Sequence, residues 1–331
     1  EYNMNLHENK KLFRQAVQTT AQQKGIPEIY IEKDYWVTHA LYTIFTDPLG
    51  ADAIFKGGTA LSKCYKLIDR FSEDIDLTVL RKDGESDAQM KIKIRELGKV
   101  LTAQLPEVEI GGVTNKKGNI RKTAHTYEKE FQGAYGQIRD VIVLEVTWLG
   151  NFEPYESKFV RTYISEMMES TDQGAFIDQY GLRPFEVKVL HPRRTLCEKI
   201  MSLVRFSYSD DAINDLKKKI RHVYDIHQLL QNKKLNSFFQ SGDFEEMLSK
   251  VAQDDKTSYK SNNQWLKNHP KDAMIFKDLE DIWNGLSETY NGDFKNLVHG
   301  DLPNFLDVLA TMKMVKEKIG SIGWPIKVEK I

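Results

Sequence analysis

Residues 55–79 read FKGGTALSKCYKLIDRFSEDIDLTV, and this stretch decides the fold. Residues 52–56, with the apolar Ala53-Ile54-Phe55 at their centre, predict a strand that runs into Gly57-Gly58-Thr59. Residues 59–68 then predict a helix, and residues 74–80 a second strand bearing Asp74 and Asp76. Side chains alternate along a strand, so these two acids share a face while Ile75, Leu77 and Val79 take the other. Adjacent carboxylates repel unless a cation lies between them. A Gly-Gly turn opening a helix presents backbone N–H groups to an anion. Taken singly, the first feature is usually a turn and the second a solvated face. Their ordered combination implies a grip on phosphate followed by a grip on a divalent cation, as a nucleoside triphosphate requires. Lys63, one turn into the helix, and Arg70 and Ser72, just before the acids, are candidates for further phosphate contacts.

A third acid interrupts the strongest strand signal of the chain, DVIVLEVTWL at 140–149. An unpaired buried carboxylate is costly, so Glu145 must either face solvent or meet a cation.

The chain of 331 residues is long enough for two ordinary domains, and its 40% hydrophobic and 29% charged content supports a packed core. Mean hydropathy is −0.50, and no apolar run approaches the roughly 18–20 residues that span a bilayer. The opening EYNMNLHENKKLFRQ carries no apolar signal core, so the expected location is the cytoplasm, without membrane contact. The two cysteines, Cys64 and Cys197, lie among apolar neighbours and suit packing rather than a disulfide or zinc. Net charge is −1, yet residues 193–234 hold ten Lys or Arg against five Asp or Glu. That local excess fits either a nucleic-acid contact or a solvated helix face.

The remaining pattern is α+β. Residues 6–24 and 28–45 predict helices, with Gly25 and Pro27 between them. Residues 85–104 predict an amphipathic helix, and 107–131 two polar strands joined across Lys116-Lys117-Gly118-Asn119. Further strands are expected at 158–167 and 184–190. From Arg193 onward the pattern is mainly helical, with a polar break at 252–271.

GGTALSK followed by RFSEDIDL resembles the motif of the DNA polymerase β-type nucleotidyltransferases, and more narrowly the AbiEii/AbiGii toxin branch. IEKDYWVTHAL (31–41), TLCEKIMSLVR (195–205) and RHVYDIHQLL (221–230) are similar to further segments of that branch, in the expected order. The resemblance covers roughly residues 28–230. It implies a mixed-sheet nucleotidyltransferase core with N-terminal helices at 1–190. A helical domain at 191–331 would contribute Lys199 and Asp225 to the site. It implies metal ligands Asp74, Asp76 and Glu145 holding Mg²⁺, with two ions expected. Gly57, Gly58, Thr59, Lys63, Arg70 and Ser72 would hold the NTP. The implied reaction moves an NMP from the NTP to RNA, most plausibly the tRNA 3′ end, arresting growth or phage propagation. A cognate antitoxin is the implied partner. The chain departs from the branch at His222, where an acid often follows the arginine. Two other readings stay open: NMP transfer to a protein hydroxyl, and a non-catalytic nucleotide- or RNA-binding module. Tyr208 and Trp265 are aromatic candidates for RNA contact.

Overall fold

The computed structural model describes residues 3–134, 136, 138–149 and 154–328. Among the described residues, seven strands form one mixed sheet: β1 (Ala53–Lys56), β2 (Ile75–Val79), β3 (Glu107–Val108), β4 (Ile120–His125), β5 (Ile142–Thr147), β6 (Tyr155–Val160) and β7 (Phe185–Leu190). Their order is β3-β4-β5-β2-β1-β7-β6. β1 runs antiparallel to β2 and parallel to β7, while β5 is parallel to β2 and antiparallel to β4. The central strands are Ile- and Val-rich and covered on both faces, as strands in the middle of such a sheet must be. Glu145 is the one residue of β5 that escapes full burial.

The chain divides into two units. The first comprises 1–66, 71–148 and 155–189, and the second 67–70, 149–154 and 190–331. The first holds the sheet with helices α1 (Lys10–Lys24), α2 (Glu28–Thr46), α3 (Gly57–Lys63), α4 (Asp87–Thr102), α5 (Tyr163–Ser170) and α6 (Gly174–Gln179). Helix α2 is buried on nearly every side, so its charged triplet Glu32-Lys33-Asp34 lies inside the protein and must find partners there.

The second unit contains α7 (Pro192–Phe206), α8 (Ala212–Lys218), α9 (Ile220–Gln231), α10 (Lys233–Gln240), α11 (Gly242–Ser258), α12 (Met274–Lys277), α13 (Leu279–Asn291) and α14 (Phe305–Gly320). Its core is built from large aromatic side chains, among them Tyr224, Phe239, Phe244, Trp283, Tyr290 and Phe294. No helix among the described residues is long and apolar enough to cross a membrane.

Five local expectations need correction. The helix after β1 starts at Gly57 itself and ends at Lys63, and Asp74 sits one residue before β2. The strand expected over 158–167 stops at Val160, because Thr162 caps α5 by accepting a 2.9 Å bond from Ser165 N–H. The polar break begins only after Ser258, since α11 continues to that point. Trp265 is a core residue whose indole N–H donates to the Asn262 carbonyl, so it is not displayed for RNA.

Candidate active site

The turn out of β1 is shaped around an acid. Gly57 has φ +82°, and a Cβ there would overlap Asp76 Oδ2. Both facts demand glycine, the first through backbone strain and the second through close approach. The register places Lys56 opposite Asp76 across β1–β2, and Asp76 beside Glu145 across the parallel β2–β5 pair. The next rung of the sheet, β5–β4, sets Lys122 against Glu145, with Nζ 3.1 Å from Oε2. Asp74 receives Arg139, Nη1 standing 3.4 Å from Oδ1.

Three carboxylates and three cations thus meet over neighbouring strands of the first unit. Asp76 bears the strain. Burial, then Glu145 and Asp74, push its carboxyl up to about 7, against the opposing pull of Lys56 and Lys122. Like charges held this close favour a proton or a metal ion between them. The donors are all carboxylate oxygens, a hard set suited to Mg²⁺. The missing Cβ of Gly57 lets the turn pack directly against the Asp76 carboxylate. Among the described residues, no three His, Cys, Asp or Glu converge closely enough to hold a metal ion as they stand. Lys122 and Arg139 instead take up Glu145 and Asp74. These pairs are about one-third exposed, and such contacts are worth roughly 0–1 kcal/mol. Displacing them costs little, so these two pairs do not by themselves bar an ion from the carboxylates.

Several expected phosphate contacts have other duties. The buried Thr59 hydroxyl donates to the Asp74 carbonyl at 2.6 Å and lies 3.0 Å from Ser72 Oγ. It thereby ties the glycine turn to the segment carrying the acids. Lys63 is buried against Asp34, Nζ to Oδ1 2.5 Å, and lies near the ring of Tyr163.

Sequence reasoning missed the supports beneath the site. Lys33 pairs with Glu73 Oε2 at 2.8 Å, both side chains buried, and also donates to the carbonyls of Arg139 and Val141. Glu73 Oε1 accepts the Arg139 N–H at 2.9 Å. One lysine of α2 therefore fixes the residue before Asp74, the backbone of Arg139 and the approach to β5. Glu32 accepts N–H bonds from Glu130 and Phe131, and burial pushes its carboxyl up to about 7. Asp34 Oδ2 accepts the Tyr163 N–H at 2.8 Å. The signal was available: three consecutive charges inside an otherwise apolar helix require internal partners.

The second unit has its own ion cluster. Arg70 grips Asp225 with two bonds of 2.7 Å, and Lys199 Nζ lies 2.6 Å from Asp225 Oδ2. All three are buried, and the two cations hold the Asp225 carboxyl well below its usual range. His222 lies among these charges. Burial and the Lys199 and Lys219 ammoniums push its imidazole well below the usual value, and Nδ1 has no hydrogen-bond partner among the described residues. The charge excess counted over 193–234 is therefore not all surface. Arg194 is buried against Glu198 and Asp254, and Arg205 stacks over Tyr259. Both cysteines are free, and burial pushes the Cys64 thiol up to about 12.

A family model described as "Nucleotidyl transferase AbiEii toxin, Type IV TA system" matches residues 39–311. In structure the chain is similar to MenT4, a nucleotidyltransferase toxin from Mycobacterium tuberculosis, at 14% identity and TM-score 0.52 over 93% of this chain and 90% of that one. It is also similar to JHP933 from Helicobacter pylori, at 14% identity and TM-score 0.38 over 88% of this chain and 93% of that one. No curated protein matches it in sequence. The likeness to MenT4 is one of fold, an α+β arrangement around a mixed sheet. The matched model spans most of the molecule and includes the glycine turn, Asp74, Asp76 and Glu145, and Lys199 and Asp225. The chain belongs to the AbiEii family of nucleotidyltransferase toxins of type IV toxin–antitoxin systems.

Proposed function

We propose that this toxin is a Mg²⁺-dependent enzyme that transfers an NMP from an NTP to an RNA acceptor, the tRNA 3′ end above all. Charging of the tRNA would then fail and growth would stop. The observation that carries the reading is the Asp74–Asp76–Glu145 constellation beside the Gly57 turn, with the Asp76 carboxyl pushed up by burial and by Glu145 and Asp74. Asp74, Asp76 and Glu145 would hold the metal. Bound there, two Mg²⁺ ions would supply activation of the acceptor hydroxyl and charge neutralisation at the leaving pyrophosphate.

The chain's own residues supply position and counter-charge, which is most of what phosphoryl-type transfer needs. Gly57 and Gly58 leave backbone open at the start of α3, and Ser72 stands beside the Thr59 anchor. Lys122 and Arg139, released from the carboxylates, can turn to the phosphates. Lys63, committed to Asp34, would act by keeping α3 in place. In the second unit Asp225 holds the buried Arg70 and Lys199 side chains side by side. We assign triphosphate binding to them, with Asp225 as the residue that orients both. The cognate antitoxin of the system is the expected protein partner, and the cytoplasm the expected compartment.

Incubation with each α-labelled NTP, Mg²⁺ and separate RNA and protein pools tests this. Label should enter the tRNA 3′ end and be lost in Asp74→Asn. Label entering protein alone would shift the acceptor to a protein hydroxyl. An absence of metal-dependent turnover with every NTP would leave only a binding module and refute the proposal.

A further inference from the structure

The sheet ends on β6, the last strand of the order. Sheet edges are usually blunted by charge, proline or a bulge, because they template pairing with another strand. β6 follows Pro154 and carries both signs of charge, Glu156 and Lys158, which blunts its pairing with an arbitrary strand. Its residues 155–159 read YESKF, without proline. Tyr155 and Phe159 are 39% and 66% exposed, and Ser157 is exposed between them on the same face. Glu156 and Lys158 share the opposite face and form an ion pair of 3.4 Å.

The pattern aromatic, acid, serine, base, aromatic is self-complementary when read antiparallel about Ser157. We propose that β6 is a homodimerisation strand, paired with β6 of a second copy about a two-fold axis through Ser157. In that register Tyr155 stands opposite Phe159 of the partner subunit, and Glu156 opposite Lys158 of the partner subunit. Two-fold symmetry then doubles both contacts. Facing residues must lie on the same side of the sheet, so the nearest alternative registers are each offset by a full pleat. One sets Glu156 against Glu156 of the partner subunit, and the other Lys158 against Lys158 of the partner subunit. Directly opposed like charges are destabilising, so the Ser157-centred register alone satisfies both faces.

The partner is a second copy because the complementarity is internal to this one strand. The acids of β2 lie three strands in from β6, about 14 Å away at ordinary strand spacing, so pairing leaves them uncovered. The proposal does not depend on the reaction assigned above. A five-residue strand pair falls below the standard interface of about 1,600 Å², so the dimer should be weak, with Kd on the order of 10–100 μM.

Sedimentation velocity of the full chain over a concentration series tests this. The 38.3 kDa monomer should move toward twice that mass as concentration rises. Glu156→Lys and Lys158→Glu, prepared separately, each oppose like charges twice and should weaken self-association at least tenfold. Mixing the two variants makes every facing pair opposite in sign and should restore a dimer at native strength. A chain that stays monomeric to about 1 mM, association that neither variant weakens, or a mixture that fails to reassociate would each overturn the proposal. Rescue in the mixture also excludes misfolding as the cause of the single-variant losses.

Discussion

Lys33→Met tests the internal scaffold beneath the acids. The Lys33 ammonium meets the Glu73 carboxylate and the carbonyls of Arg139 and Val141, and lies fully buried. Burial pushes the Lys33 ammonium down and the Glu73 carboxyl up, so each tolerates charge only because of the other. Removing one partner of a buried pair costs about 3–5 kcal/mol, since the other charge is stranded. Against a stability of about 5–15 kcal/mol this is a large loss. Urea unfolding followed by tryptophan fluorescence reads it, with Trp36 on the same helix as reporter. Glu73→Gln added to Lys33→Met should recover part of the loss, because the amide oxygen still accepts the Arg139 N–H. A coupling on the order of 2 kcal/mol is expected in the double-mutant cycle.

The pH dependence has a definite sign. Without Lys33 the folded-state pKa of Glu73 climbs further above its unfolded value, so the native state binds the extra proton. Stability of the variant therefore falls as pH rises from the unfolded carboxylate range toward the raised folded value. The deficit should be largest at pH 8 and shrink toward pH 5. A cost under about 1 kcal/mol, a deficit independent of pH, or zero coupling would refute the reasoning.

Three further outcomes are expected. Asp76→Asn should abolish nucleotidyl transfer yet unfold no more easily at pH 8 than the parent. The substitution removes a charge whose burial, with repulsion from Glu145 and Asp74, pushes the carboxyl up to about 7, so a lower melting temperature at that pH would contradict the assignment. Gly57→Ala should lose activity and roughly 1–3 kcal/mol, because the new Cβ meets Asp76 and the backbone is left-handed; parental stability by denaturant midpoint would show that the turn relaxes freely. Asp225→Asn leaves Arg70 and Lys199 without their carboxylate, and should cost about 3–5 kcal/mol in chemical unfolding, partly regained at high salt or with added triphosphate.

What could be read directly from the residues was local. Glycine beside a strand end, acids spaced two apart, and an acid within an apolar strand constrain only backbone geometry and side-chain face. From these the strand–turn–helix–strand order, the mixed α+β class and the candidate acids 74, 76 and 145 followed, because alternation along a strand does not depend on what lies far away. Capping chemistry was equally local but overlooked: Thr162 ends the strand signal and opens α5.

Charge partners were the work of the tertiary structure. Lys63 could be assigned to phosphate from its place in the helix, yet Asp34, far back in the sequence, claims it. Lys122 and Lys56 face the acids only because β4, β5, β2 and β1 lie side by side in that register. The basic excess after Arg193 looked like one patch, but folding buries Arg194 and Lys199 against carboxylates. The reason is physical. A side chain's direction is set by its own backbone, whereas the worth of its charge depends on the water it loses and the groups that replace it, and only the packed chain supplies those.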